Sequence, residues 1–443
     1  MLFKQIQCHN LRKIALHDDK QTITYGDILT HINNRAEQLD DVQVLAIALN
    51  NSVEWMLWDM AALQAQIPCV PIPHFFSEDQ VFHLLHESGV SHIISPNGLR
   101  DTGIFSRGLL PDGTAKITFT SGTTGTPKGV CLSKSAMENV AGSIVEVLGE
   151  ELVGTHCCVL PLSILLENVA GVYAGLMAGC TIELPDLSAY GDQYQNLHSL
   201  LKQRRATSII VVPEILRLLM GQVIEQGPLP HLEFIAVGGS KVDPSLLANA
   251  RLLGLPVYEG YGLSECASVV SMNVPYHEKT GSTGKLLPHV NVQIINDEIQ
   301  ITNPGFLGYI GEKAPKHFNT GDLGSLDEDG FLSVTGRSKN VLITSYGRNI
   351  SPEWIEATLL AQPSIAQALV YGDGQPSLSA FIVPTAKEEH IQSAIEAANA
   401  KLPEYAQVKS FQIVPPFTIS DNTLTGTGRP KREQILTLYT TPL

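Results

Sequence analysis

The chain has 443 residues, 44% of them hydrophobic and 16% charged, with a formal net charge of −15. That length exceeds one ordinary compact domain, so two or three packed units with sizeable cores are expected and disorder is excluded. The acidic balance argues against a nucleic-acid scaffold or a basic membrane anchor, and any site for an anion must build its positive potential locally.

Seven cysteines (Cys8, Cys69, Cys131, Cys157, Cys158, Cys180 and Cys266) show neither CxxC nor Cys/His zinc spacing. An odd number of scattered thiols fits a reducing compartment. The N-terminus lacks a charged-then-apolar leader, and no uncharged run is long enough to cross a bilayer. A soluble cytoplasmic protein is expected, with no nucleic-acid partner and no membrane span.

From Thr22 to about Pro111, helix-like and strand-like pieces alternate. Tyr25-Gly26-Asp27-Ile28 opens a helix expected to run through Leu39. Val44–Leu49 reads as a buried strand, Val53 to Gln64 as a helix, Cys69–Pro73 as a strand ending in a proline turn, and His92–Ser95 as another strand. Such alternation implies a largely parallel sheet with both faces covered.

The next segment is the most informative: Lys116-Ile117-Thr118-Phe119-Thr120-Ser121-Gly122-Thr123-Thr124-Gly125-Thr126-Pro127-Lys128-Gly129. A β-branched run feeds a turn of small hydroxyls and glycines, where backbone N–H groups and hydroxyls can close around an anion. Lys128 adds a positive charge. The loop is not a Walker A motif, because the positions that would hold Gly-Lys-Ser/Thr hold Pro127, Lys128 and Gly129.

Beyond it, Ser208–Pro213 and Glu233–Gly239 read as buried strands. In open α/β sheets, ligands gather at the carboxyl ends of such strands. Tyr258-Glu259-Gly260-Tyr261-Gly262-Leu263-Ser264-Glu265 follows. Downstream of a phosphate loop, Tyr261 offers an aromatic face to a purine, Ser264 a hydroxyl to a phosphate oxygen, and Glu265 a hard oxygen to Mg²⁺. From about Thr283 to Gly336 short strands and Gly/Asp turns predict a small β-rich subdomain.

A last unit of about 100 residues is expected from near Lys339. Ser351-Pro352 predicts a helix start with Ser as N-cap, and Glu353 and Glu356 suit its macrodipole. Ala366–Tyr371 and Leu378–Val383 read as a hairpin, and about 387–402 as a helix.

The phosphate loop resembles that of the adenylate-forming superfamily: acyl-CoA synthetases, aryl-CoA ligases, luciferases and peptide-synthetase adenylation domains. Tyr261-Gly262-Leu263-Ser264-Glu265 resembles the family's Tyr-Gly-x-Thr-Glu, with Ser264 keeping the hydroxyl. Thr320-Gly321-Asp322 and Gly336-Arg337-Ser338-Lys339 resemble its Thr-Gly-Asp and Gly-Arg-x-Lys motifs. The resemblance covers nearly the whole chain and is nearest in character to fatty acyl-CoA and acyl-carrier-protein ligases.

It implies an α/β protein with a large N-terminal domain over 1–337, built from parallel-rich sheets flanked by helices with a small β-rich subdomain. A small mobile α+β domain over 338–443 follows, hinged near Lys339. By resemblance, Thr120, Ser121, Gly122, Thr123, Thr124, Gly125 and Lys128 hold the pyrophosphate end of ATP. Gly238, Gly239 and Ser240 line the adenine pocket, Asp322 takes the ribose hydroxyls, Arg337 supports ribose or phosphate, and Gly347 lies on the thiol's path.

The implied reaction activates an apolar carboxylic acid, fatty or aryl, with ATP and Mg²⁺ to an acyl-adenylate. A thiol, CoA or a carrier protein's phosphopantetheine, then takes the acyl group and AMP leaves. Two alternatives stay open: a catalytically weak nucleotide- or acyl-binding homologue or partner subunit, and an adenylating enzyme with an amine or hydroxyl acceptor.

Two segments depart from the family pattern. Leu424-Thr425-Gly426-Thr427-Gly428-Arg429-Pro430-Lys431 puts Arg429 where the family has its adenylation lysine, with Lys431 two residues on; Arg is not a simple replacement for Lys, so either Arg429 does the work, or Lys431 reaches in, or the first half-reaction is slow. In Pro161-Leu162-Ser163-Ile164-Leu165-Leu166-Glu167-Asn168, Ile164 stands where many relatives carry His. No Asp that would anchor an amino group is present there, which argues against an α-amino acid substrate. Ile164, Leu165, Leu166, Val169 and Val172 read equally as pocket lining or as core.

Overall fold

The computed structural model describes residues 1–104, 109–120, 127–152, 154–191, 194–346, 348–385, 390–425 and 428–440. Two large sheets form the body. In the first, nine strands run in the order Lys285–Leu286, Ser268–Met272, Val257–Leu263, Phe234–Val237, Ser208–Val211, Thr155–Cys157, Thr181–Glu183, Ile14–His17 and Thr22–Thr24. The six strands from Val257–Leu263 to Ile14–His17 are mutually parallel, and both edges turn antiparallel. The central strands Ser208–Val211 and Phe234–Val237 are apolar except for Ser208 and largely buried, as a sheet covered on both faces requires.

The second sheet has seven strands: Phe306–Tyr309, Lys128–Ser133, Thr114–Thr120, Cys69–Pro71, Leu45–Ile47, His92–Ser95 and Gly98–Asp101. Strands were expected at 44–49, 69–73 and 92–95, and the helix Val53–Ala65 stands where one was expected. The helix opened by Tyr25-Gly26-Asp27 runs Ile28–Ala36 and tightens to a 3₁₀ turn at Glu37–Leu39. The helix Glu78–Ser88 was not anticipated, although Ser77 and Gln80 form a capping box legible in the sequence.

The β-rich segment is a four-stranded antiparallel sheet of Asn291–Ile295, Glu298–Thr302, His317–Leu326 and Leu332–Arg337. The C-terminal segment has its own core around the hairpin Ile365–Tyr371/Leu378–Pro384, the parallel strand Val408–Ile413 and the helices Pro352–Leu360 and Ile391–Asn399. Ser351 precedes the helix as expected, but its hydroxyl donates to Glu353 rather than capping a backbone N–H. Glu356 does not serve the macrodipole. It is buried, accepts from the Val370 N–H at 2.7 Å and pairs with Arg432 at 2.6 Å, so it ties the helix Arg432–Thr440 to this core.

The two large sheets are locked by one buried polar cluster. Lys116, on the strand Thr114–Thr120, is 1% exposed and pairs with the fully buried Asp59 of the helix Val53–Ala65 at 2.8 Å. Asn168 and Tyr173, both on a π-helical stretch Leu166–Tyr173, complete it, with the Tyr173 hydroxyl 2.7 Å from Asp59. A lysine in the interior is tolerated only with such a full set of partners.

Along the strand Val257–Leu263 the faces alternate, so Glu259 points away from Tyr258 and Gly260. Burial pushes its carboxyl up to about 7, partly opposed by the charge of Lys241. The neutral form is therefore favoured by folding: its contribution is complete below the unfolded value near 4.3 and is lost as pH rises through about 7. Glu259→Gln is expected to be more stable than the parent by about 3 kcal/mol near pH 8, shrinking to about 1 kcal/mol near pH 5, as read by urea unfolding at each pH. Lys116→Met should cost about 3–5 kcal/mol by stranding Asp59, and adding Asp59→Leu should recover most of it; no recovery in the double variant would show that the pair is not the source.

Candidate active site

The phosphate loop closes a β-hairpin. Thr120 and Lys128 are direct antiparallel partners, so the strands Thr114–Thr120 and Lys128–Ser133 hold the ends of the loop in register. Ser121, Gly122, Thr123, Thr124 and Gly125 lie outside the described residues. The helix Glu78–Ser88 braces both ends: His83 bonds the Pro127 carbonyl at 3.1 Å and meets Phe119 edge-on. Gly129 serves packing: a Cβ there would come within 2.5 Å of Ile310.

Lys128 places its ammonium 5.1 Å from the centre of the Tyr309 ring. The Tyr309 hydroxyl donates to Glu265 Oε1 at 2.7 Å. Burial and the Glu265 charge both push the Tyr309 phenol upward, which keeps it a donor. Tyr309 thus joins Lys128 to Glu265, a link no local sequence signal reveals. It arises because Phe306–Tyr309 pairs with Lys128–Ser133 across a wide gap in sequence. Glu265 sits in a 3₁₀ turn, Ser264–Cys266, directly after the strand Val257–Leu263. Beyond it Ala267 and Ser268 both have positive φ, at 58° and 145°, and the buried Ser268 hydroxyl has no partner among the described residues. Backbone strain and an orphaned hydroxyl side by side are features that cluster at working sites.

At the other end, Tyr261 donates its hydroxyl to Asp322 Oδ2 at 2.7 Å, and Arg337 Nε lies 2.8 Å from Asp322 Oδ1. Asp322 and Arg337 are antiparallel partners on neighbouring strands, which fixes this pairing. Each Asp322 oxygen keeps lone-pair capacity beyond its one protein partner. Desolvation and the Asp322 charge hold the Tyr261 phenol protonated.

Arg429 reaches across from the C-terminal segment and donates to the Gly239 carbonyl. It lines the cavity, and desolvation followed by the neighbouring Arg337 charge lowers its pKa, with Asp322 and Glu214 opposing. Lys431 turns away and donates to Asn422. Lys339 stands in the turn Ser338–Asn340 on the cavity wall, its pKa lowered by burial and by Arg337. Gly347 lies outside the described residues.

These groups open onto one cavity of about 950 Å³, whose wall includes Thr120, Lys128, Gly238, Gly239, Ser240, Tyr261, Gly262, Ser264, Glu265, Arg337, Lys339 and Arg429. Asp322 stands just behind Tyr261 and Arg337. One side of the cavity is a face of the nine-stranded sheet. Ser208 is in register with both His156 and Phe234, and Ala236 is in register with Ile210 and Tyr258. With side chains alternating along each strand, the same face carries three rows. Val212, Gly238 and Gly260 form the top row, Ile210, Ala236 and Tyr258 the middle, and His156, Ser208 and Phe234 the floor, all on the cavity wall. The apolar stripe divides: Ile164, Leu165 and Leu166 line the cavity, whereas Val169 and Val172 are core.

The donor set fits ATP and Mg²⁺. The glycine row leaves open sheet surface where a flat base can lie, and a Cβ on Gly238 would come within 3.2 Å of the Gly260 carbonyl. Glu265 offers an oxygen that no protein donor claims among the described residues, beside Lys128. One carboxylate with phosphate oxygens suits Mg²⁺, which keeps few protein ligands.

Comparison with known proteins agrees with this geometry. The AMP-binding enzyme family matches residues 2–108 and 106–313, and the AMP-binding enzyme C-terminal domain matches residues 339–442. A long-chain-fatty-acid–CoA ligase, FadD15 of Mycobacterium bovis, is 33% identical over 234 residues, which is 45% of this chain and only 39% of that protein's length. The 2-succinylbenzoate–CoA ligase of Bacillus cereus is 30% identical over 366 residues, covering 75% of this chain and 71% of the relative. The o-succinylbenzoate CoA synthetase of Bacillus subtilis shares the fold in its acyl-adenylate complex, with a TM-score of 0.80 at 24% identity over 98% of this chain and 97% of that one. The same enzyme with ATP and magnesium gives 0.79 at 24% over 98% of each chain. Across both its segments, this chain belongs to the AMP-binding enzyme family.

Proposed function

We propose that this chain is an ATP-dependent acid–thiol ligase of the AMP-forming type, acting on an apolar carboxylic acid. The observation that carries the reading is the single cavity in which Lys128, Glu265, Tyr261, Arg337 and Arg429 meet beside an apolar sheet face. Displacement at the α-phosphorus of ATP needs little beyond positioning and charge neutralisation. Thr120, Lys128 and the loop between them take the pyrophosphate end. Ser264 touches the α-phosphate or its neighbour, and Tyr309 aims Glu265. Mg²⁺, held by Glu265, would neutralise the departing pyrophosphate. Gly238, Gly239, Ser240, Tyr261 and Gly262 seat the base, and Asp322, steadied by Arg337 and Tyr261, takes the ribose hydroxyls.

Arg429 is the adenylation cation in this reading. Its guanidinium enters the cavity beside Gly239, while Lys431 is committed to Asn422. The acceptor thiol is CoA, as the names of the relatives suggest, with carrier-protein phosphopantetheine as the alternative. The unit over 338–443 turns about Lys339 between the half-reactions, bringing Gly347 to the thiol's path and excluding water from the reactive anhydride. Among the described residues no helix is long and apolar enough to cross a membrane. All seven cysteines are free and six are buried, which supports a cytoplasmic setting.

Purified protein with Mg·ATP and a broad acid panel should exchange pyrophosphate into ATP and form acyl-hydroxamates; tight ATP binding without either would move the chain to the non-catalytic alternative. Arg429→Ala should lower pyrophosphate exchange by roughly 10²-fold or more, against less than about threefold for Lys431→Ala. Equal, mild effects would refute the assignment. Tyr309→Phe should slow exchange by roughly tenfold and raise the Mg²⁺ concentration needed for half-maximal rate, since Glu265 loses its aim.

A further inference from the structure

The floor of the acid pocket carries a buried polar relay beneath largely apolar walls. Glu167 Oε2 accepts the backbone N–H groups of Val159 at 3.0 Å and Leu160 at 2.7 Å, and its Oε1 lies 2.8 Å from His156 Nε2. Gly171 makes room for this contact, because a Cβ there would sit 2.6 Å from both partners. A carboxylate already accepting two N–H bonds is the accepting partner of the imidazole, so Nε2 carries the proton. In the neutral imidazole the other nitrogen, Nδ1, is the acceptor, and it lies 3.1 Å from Ser208 Oγ. Ser208 donates its one proton inward. The lone pairs of Ser208 are the uncommitted end of the relay, and no other bond to this oxygen is found among the described residues.

Three further observations define what meets that oxygen. Ser208 and His156 both contribute to the cavity wall. The floor row lies four residues below the glycine row along the strands, or roughly 13 Å. Between them lies the row Ile210, Ala236 and Tyr258, and Ile164 and Leu165 also line the cavity. Among the described residues lining the cavity, the lysines and arginines (Lys128, Arg337, Lys339 and Arg429) all stand at the nucleotide end. A second carboxylate at the floor would be buried without a cation.

We propose that the acid accepted here has one carboxylate and, roughly eight to ten chain atoms away, a hydrogen-bond donor such as an alcohol or phenol hydroxyl that Ser208 receives. This rests on the adenylating reading above and names its substrate class. Ser208 is a specificity determinant, held in its accepting orientation by His156 and Glu167.

The test is pyrophosphate release with hydroxylamine as acyl trap, which needs no thiol acceptor. Matched acids are compared: decanoate, 10-hydroxydecanoate, 9-oxodecanoate and decanedioate, with cinnamate against 4-hydroxycinnamate. The hydroxyl member of each pair should show kcat/KM about tenfold above its plain partner, mainly through KM, as one net hydrogen bond allows. In Ser208→Ala that ratio should collapse toward one. The ratio is read within each protein, so it does not depend on how much of the variant is folded. Plain acids used as well as hydroxy acids, a preference for the oxo or dicarboxylic acid, or a preference that survives Ser208→Ala would each overturn the proposal and leave adenylation standing. Release with none of the acids, in protein that binds ATP, would overturn the adenylating reading and this one with it.

Discussion

The arrangement of this molecule depends on one buried cation. Lys116 sits on the strand that leads into the phosphate loop and is held by Asp59 from a neighbouring helix and by Asn168 and Tyr173 from the π-helical stretch. That stretch also carries Glu167, whose carboxylate holds His156 at the floor of the cavity, and Leu166, which lines the cavity. The strands flanking the candidate phosphate loop belong to the seven-stranded sheet, and the apolar end of the cavity is a face of the nine-stranded sheet. The Lys116 cluster ties a strand of the first to the π-helical stretch that packs on the second, and a partial set of its bonds would leave a charge stranded in the core. A π-helical turn, rare in regular helices, widens the helix where these side chains must turn inward.

From that constraint follows a division of the cavity by charge. Cations and hydroxyls gather where the hairpin loop, the turn after Val257–Leu263 and the Asp322–Arg337 strand pair converge. The opposite end is a sheet face whose glycines lie in its top row and whose His156 and Ser208 lie in its floor row. A chain of net charge −15 therefore gathers positive potential in one place, as binding a triphosphate demands. Arg429 completes that place from the C-terminal segment, so the site is assembled from both segments.

Much of this was legible in the residues. The alternation of apolar runs with amphipathic stretches announced parallel sheets, and Val53–Ala65, His92–Ser95 and the hairpin after Ile365 fell close to their expected places. The candidate nucleotide-binding residues are legible because glycines, hydroxyls and lone charges in tight strings are seldom explained by packing. The partners behind them were not. Tyr309 and His83 lie far in sequence from the groups they hold and look like ordinary strand and helix residues. Ser351 and Glu356 depart from the roles their local sequence predicts because a local cap and a local dipole are weak beside partners such as Glu353 and Arg432.

The sequence by itself determined the fold class, the family and the set of groups that can hold a nucleotide, because these follow from local periodicity and from residue types with few other uses. Tertiary structure decided what short-range pattern cannot carry. It sent Arg429 into the cavity and Lys431 out of it, although only one residue separates them. It divided one apolar stripe into pocket at Ile164–Leu166 and core at Val169 and Val172. Both outcomes depend on which distant strand or helix faces a side chain, and that is set by packing across the whole chain.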